Sequence, residues 1–176
     1  GNNNLTGKVP EEINKISSLK VLELNNNNLA ELPSLTFQLL DTLLINNNQF
    51  SFDDIEPNLT IPDIKLNYLL QDSIGVRSDT LCKVGSAIKL VVSDTSNHNR
   101  YQWYKDGIAI STAVNNIYQL SNLQESDSGI YTCNITNTMV TGLTIYQRPV
   151  ILHVSLKTGI DDLTVAEIKI YPNPTR

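Results

Sequence analysis

The sequence predicts a two-part chain of α+β or all-β class: a short stack of parallel strands, then an antiparallel β-sandwich. Three observations carry this expectation. Asparagine clusters recur at 2–4, 25–28 and 46–48, each followed by Leu5, Leu29 or Phe50. One apolar spacing precedes the last two clusters: Leu19, Leu22, Leu24, Asn27, Leu29, then Leu40, Leu43, Ile45, Asn48, Phe50. From Ile74 to Val154, short alternating apolar runs are separated by turn signals, as in a sandwich.

Both early runs fit L-x-x-L-x-L-x-x-N-x-L, so this part of the chain resembles leucine-rich repeats. Its framework asparagines are about 24 and about 21 residues apart, counting from Asn3 to Asn27 to Asn48. A short strand runs through x-L-x-L-x, with alternate side chains on opposite faces. Leu22, Leu24, Leu43 and Ile45 then point into the core. Val21, Glu23, Asn25, Thr42, Leu44 and Asn46 point outward along the concave face, with Asn26 and Asn47 beside them. Asn27 and Asn48 end the strands, where an amide with two donors and an acceptor satisfies backbone groups left unpaired by the turn. Asn3 holds the same place in a repeat whose strand is missing. Leu5 to Ile13 resembles the L-T-G-x-I-P-x-x-L variant of plant receptor ectodomains, which also occurs in bacterial proteins. About three repeats are needed for a stable solenoid. Residue 1 therefore reads as a boundary within a longer chain, with any export signal upstream.

The composition narrows the function classes. The chain has 176 residues, 40% hydrophobic, with 13 Lys plus Arg against 18 Asp plus Glu and a net charge of −5. One or two domains are expected. No apolar run approaches the ~18 residues of a membrane span. The absence of a basic stripe argues against nucleic acid. Two cysteines make no disulfide-dense scaffold.

Past Phe50 the period changes. Ser51 reads as the N-cap of one helical turn, with Asp53 and Asp54 at its positive end. Pro57 and Pro62 force extended chain. Ile55, Leu59, Ile61, Ile64 and Leu66 are placed to cover the open edge of the last repeat. The junction falls near Leu70 to Ser73, so the expected divisions are 1–71, 72–155 and 156–176.

In the sandwich, Gly85, Ile88, Leu90 and Val92 alternate as one strand, and Tyr101 to Lys105 follows before a turn at Asp106-Gly107. Asp127-Ser128-Gly129-Ile130-Tyr131-Thr132-Cys133 fits D-S-G-x-Y-x-C, and this region resembles I-set-like immunoglobulin domains. The resemblance implies that Asp127 and Gly129 shape a corner, that Tyr131 bonds back to upstream backbone, and that Trp103 is buried on the third strand. Val92 stands where the family's first cysteine belongs, about eleven residues before Trp103. A bond from Cys82 to Cys133 needs Cα atoms within about 7 Å. Cys82 lies too near the end of the first strand to favour it, which leaves that bond and a buried Cys133 thiol beside Trp103 as the alternatives.

Near the C-terminus, Ile168 to Thr175 reads I-K-I-Y-P-N-P-T. The run resembles the opening of the C-terminal sorting domain used by the type IX secretion system of Bacteroidetes-type bacteria. That implies a secreted or surface-attached protein and the secretion machinery as a partner.

Catalytic chemistry has no signature. His98 and His153 lie apart, and no phosphate loop, nucleophile elbow, histidine triad or D-x-D-x-D-G run is present, so no enzyme, metal or cofactor is expected. The expected function is an extracellular binding or adhesion module for a protein or glycan, using the concave face. Leu44 is either an apolar anchor or covered by the cap. The concave positions hold no aromatic, which favours a protein over a glycan. The ends of the sandwich, at Asn97 to Asn99 and Tyr104 to Gly107, form a second candidate surface. The alternatives are a spacer, a non-catalytic module of a secreted polymer-degrading enzyme, and a sensory ectodomain.

Overall fold

The computed structural model describes residues 3–156, so the expected sorting motif at Tyr171 to Thr175 lies outside the described residues. Thirteen strands are found among those described. The first five are β1 (Thr6–Lys8), β2 (Val21–Glu23), β3 (Asn28–Glu31), β4 (Thr42–Leu44) and β5 (Lys65–Asn67). β2, β4 and β5 form one parallel sheet in which Leu22, Leu43 and Leu66 are in register. β1 pairs in parallel with β3. The only α-helix among the described residues, α1, spans four residues, Phe52–Ile55. The α component of the expected class is therefore reduced to this turn and three 3-10 turns.

Most of this stack is coil, and buried coil must pair its backbone groups. Side-chain amides do so at one place in each turn. Asn27 Oδ1 accepts from the Leu5 N–H at 3.2 Å, Asn48 Oδ1 from Leu29 at 3.1 Å, and Gln71 Oε1 from Phe50 at 3.0 Å. Each amide nitrogen donates to the carbonyl three residues before it, Asn27 to Leu24, Asn48 to Ile45 and Gln71 to Tyr68, and in the last two also to the preceding turn, at Leu24 and Ile45. A second series runs behind, where Asn58 is fully buried, accepts from Leu35 and donates to Pro33 and Asp54. Ser51 and Asp54 form a capping box on α1, and Asp54 also accepts from the Leu32 N–H.

Of the residues expected to cover the last repeat, Ile55 and Ile61 are buried and Leu59, Ile64 and Leu66 pack against the core. Residues 64–71 do not merely lie over the last turn; they carry β5 and Gln71 and extend the sheet by a third strand. The sandwich follows Ile74, which bridges to Gln147.

The sandwich contains β6 (Ser78–Lys83), β7 (Ile88–Val91), β8 (Asn99–Lys105), β9 (Ile108–Ala109), β10 (Ile117–Leu120), β11 (Gly129–Asn137), β12 (Thr144–Tyr146) and β13 (Val150–Ser155). β7 and β10 make one antiparallel sheet. The other runs β6-β13-β11-β8-β9, with β12 also on β11. Gly85 lies in the turn before β7 rather than in the strand, with φ +85°. Trp103, Val92, Cys133, Ile135 and Leu152 are fully buried between the sheets. Trp103 Nε1 donates to the Asn115 carbonyl at 2.8 Å. Trp103, Tyr118 and Tyr131 form an aromatic row with ring centroids 6.2 Å apart at each step. The Tyr131 hydroxyl donates to the Asp127 carbonyl at 2.7 Å, and burial, with Asp127 nearby, pushes its pKa up to about 12. Asp127 Oδ2 holds the Gln124 N–H at 2.7 Å. At Gly129, a Cβ would come within 2.6 Å of Asp106 Oδ2, so the corner excludes a side chain there.

Both cysteines are free. Cys82 pairs with Val154 in β13, which separates β6 from β11 by two spacings of about 4.8 Å. The ladder also offsets Cys133 by about six residues, on the order of 20 Å along the strand. A bond between them is out of reach. Burial pushes the Cys133 thiol up to about 12.

Two outcomes follow from these contacts. Asn48→Ala orphans the buried Leu29 N–H together with the Leu24 and Ile45 carbonyls, and should lower unfolding free energy by about 2–4 kcal/mol in urea titrations. A loss under about 0.5 kcal/mol would show the amide series to be incidental. In native protein at neutral pH, DTNB should modify Cys82 and reach Cys133 only on unfolding; a silent pair under non-reducing conditions would mean the two sulfurs are bonded.

Candidate binding surface

The strand register builds three outward rows across the parallel sheet. Val21, Thr42 and Lys65 form one; Glu23, Leu44 and Asn67 the next. Carried two residues further, the register sets Asn25, Asn46 and Leu69 in the third. Val21 and Glu23 are exposed, while Thr42, Leu44, Asn25 and Asn46 are half-buried. Leu44 is thus neither free nor covered: it sits between exposed Glu23 and exposed Asn67. Asn25 Oδ1 is buried without a partner, so this acceptor is not open to a ligand from solvent. Asn26 and Asn47 both take left-handed backbone, φ 55° and 54°, and Asn47 Nδ2 donates to Asn26 Oδ1 at 2.6 Å. Asparagine tolerates that conformation better than most residues. In the next turn the equivalent residue is Leu70, φ 60° and 72% exposed.

Beyond Asn46 and Asn67 the surface dips into a groove of about 550 Å³, whose far wall is Gly142 to Thr144 and Tyr146 of the sandwich. Thr144 and Tyr146 also border a smaller depression of about 330 Å³ on the outward face of β8, β11 and β12. Register sets Gln102, Asn134 and Tyr146 in one line there, and Arg100, Thr136 and Thr144 in the next.

A buried joint fixes this geometry. The Phe52 N–H donates to Asp94 Oδ2 at 2.8 Å, and Asn99 Nδ2 donates to Asp94 Oδ1 at 2.8 Å. The Thr95 N–H bonds Asp53 at 2.9 Å. Glu56 receives Ser96 Oγ, Asn137 Nδ2 and, at 3.0 Å, His98 Nδ1. Across the other side, the Tyr68 hydroxyl donates to the Thr141 carbonyl at 2.9 Å, and Arg148 pairs with Asp72 at 2.9 Å. Burial pushes Asp94 above the ordinary carboxylate value, against the lowering effect of its hydrogen bonds from Phe52 and Asn99. Burial also acts to raise Glu56, but the bonds from Ser96, His98 and Asn137 outweigh it and hold that carboxyl below its ordinary value.

Part of the 97–99 loop belongs to the joint. Asn99 is buried and bonds Asn137 within the sandwich, while His98 faces Glu56 of the stack. Sequence spacing held no sign of this, because the partners lie 40 to 81 residues apart. His153 meets Asp79 at 3.0 Å on the surface. Among the described residues no group of three or more His, Cys, Asp and Glu could hold a metal ion. No helix among them is long and apolar enough to cross a membrane.

The two facing sheets, the buried Trp103 and the Tyr131 corner define an immunoglobulin-like sandwich. In agreement, residues 81–154 match the family described as immunoglobulin domain. Solved structures that align with part of the chain include Sidekick-1 immunoglobulin domains 1-5, at 19% identity and TM-score 0.38, covering 49% of this chain and 18% of that one. Drosophila OTK extracellular domains 3-5 align at 19% identity and TM-score 0.38, over 51% of this chain and 35% of that one. DIP-gamma IG1+IG2 aligns at 17% identity and TM-score 0.37, over 44% and 43%. No curated protein matches the chain.

The joint has a pH signature. A carboxyl whose folded pKa is depressed stabilises the fold above its unfolded value, and that stability is lost as pH falls through the folded value. Glu56 is of this kind; Asp94, raised, acts oppositely and loses stability as pH rises from the unfolded towards the folded value. Thermal melts between about pH 3 and 7 should therefore show a smaller acid-side fall in Glu56→Gln than in the parent. An unchanged slope would remove Glu56 from the joint. Asp94→Ala, which orphans the Phe52 N–H, should cost about 1–3 kcal/mol and speed proteolysis between residues 52 and 96.

Proposed function

We propose that this chain is a non-catalytic recognition module of a secreted or surface-displayed protein, engaging a protein or glycan through the outward rows of β2, β4 and β5. In this reading, residues 1–71 are the end of a leucine-rich-repeat solenoid with its linker and 72–155 an immunoglobulin-like sandwich. Residues 156–176 are then a linker and the opening of a type IX sorting domain.

The observation that carries it is the row Glu23, Leu44, Asn67, an apolar side chain held half-open between polar neighbours on a parallel sheet. The repeated amide at Asn27, Asn48 and Gln71 supports the solenoid reading. The motif at Tyr171 to Thr175 supports the address. The interlocked joint also suits a rigid spacer, and the same experiment separates the two.

The full-length parent is immobilised and screened on protein and glycan arrays, then compared with Glu23→Ala and Leu44→Ser forms of matched melting temperature. Loss of more than about tenfold in retention, the effect of removing a contact worth about 1.4 kcal/mol, is expected for the pair. Retention that survives both changes would assign the face to structure and the chain to a spacer.

A further inference from the structure

The groove at the joint has a chemistry that the separate parts do not show. Its stack side presents Asn46 and Asn67, and its sandwich side Thr144 and Tyr146. Beyond Tyr146, Asn134 and Thr136 continue the same face across β11. Among the described residues, the side chains of Asn46, Asn134, Thr136, Thr144 and Tyr146 make no hydrogen bond to protein, so their amides and hydroxyls remain available. By contrast, Gln71 at the groove floor is spent on Phe50, Ile45 and Tyr68.

Charge narrows the ligand. The chain carries −5, yet the residues lining the groove and its extension include no Asp, Glu or Lys and a single Arg, Arg100. An ionic partner finds little counter-charge there. Amides and hydroxyls that both donate and accept match the vicinal hydroxyls of a sugar. The Tyr146 ring, with the residue 50% exposed, offers an apolar face with a polar tip against which the C–H face of a pyranose can stack. Leu70 stands at the lip, exposed and in left-handed backbone where the two earlier turns use asparagine. A branched side chain kept in that conformation is a local cost that the groove gives a use.

Resting on the recognition reading above, we infer that this groove binds a neutral oligosaccharide, laid from Asn46 and Asn67 across Tyr146 towards Asn134. The aromatic that the concave rows lack is supplied by the sandwich.

The test is native affinity electrophoresis of the full chain in gels containing soluble neutral polysaccharides: xylan, mixed-linkage β-glucan, galactomannan and dextran. At least one should retard the protein. Tyr146→Ala should weaken retardation more than about tenfold, Asn134→Ala several-fold, and Tyr146→Phe little, with melting temperatures unchanged. Leu44→Ser should give a smaller loss, since the rows adjoin the groove. No retardation by any of the four overturns the assignment, as does retardation indifferent to Tyr146→Ala; retention on a polypeptide array alone reassigns the groove to a peptide. A loss in Leu44→Ser with none in Tyr146→Ala or Asn134→Ala rejects the groove and keeps the outward-row reading, while a loss in Tyr146→Ala and Asn134→Ala with none in Leu44→Ser does the reverse.

Discussion

The stack depends on one constraint: backbone buried without helix or continuous sheet must find hydrogen-bond partners elsewhere. Asn27, Asn48 and Gln71 supply them from side chains, each reaching about one turn of the stack upstream. Asp94 continues the same logic from another fold. It takes the Phe52 N–H, two residues after the one held by Gln71, and so ties the sandwich to the stack through a backbone donor. A carboxylate there carries a desolvation cost that neutral amides avoid, offset by its bonds from Phe52 and Asn99.

Within the sandwich, packing replaces the covalent bridge of related folds. Val92 and the β11 thiol Cys133 are both fully buried, and the row Trp103, Tyr118, Tyr131 ties the two sheets together. β11 is the hub, paired with β8, β12 and β13, so its inward residues Tyr131, Cys133 and Ile135 are all buried. Its outward residues Thr132, Asn134 and Thr136 face the open side. The strand that stabilises the core therefore also sets the line of polar groups next to Tyr146.

What could be read from the sequence follows the range of the interactions. Leu22, Leu43, Asn27 and Asn48 recur at a fixed local period, and Trp103 and Tyr131 sit in a local motif, so their surroundings were legible. The third turn was not. Its framework residue is Gln71, the position matching Leu24 and Ile45 is Tyr68, and that matching Leu29 is Ser73, so only Leu66 keeps the expected type. Glutamine reaches the Phe50 N–H through one more methylene than asparagine, an equivalence that residue type conceals. The joint was equally hidden, because Glu56, Asp94 and Asn137 come together only once both parts are folded. Tyr146 likewise reads as an ordinary strand residue until the joint brings it beside Asn67.

That joint also has a thermodynamic meaning for any ligand spanning both parts. Two modules on a loose tether must be oriented at the moment of binding, and the lost freedom is subtracted from affinity. Here bonds from Phe52, Thr95, Ser96, Asn137 and Tyr68 have already set the angle between stack and sandwich during folding. A ligand that touches Asn46 and Tyr146 together meets a surface already organised, and its contacts go to affinity rather than to arresting a hinge.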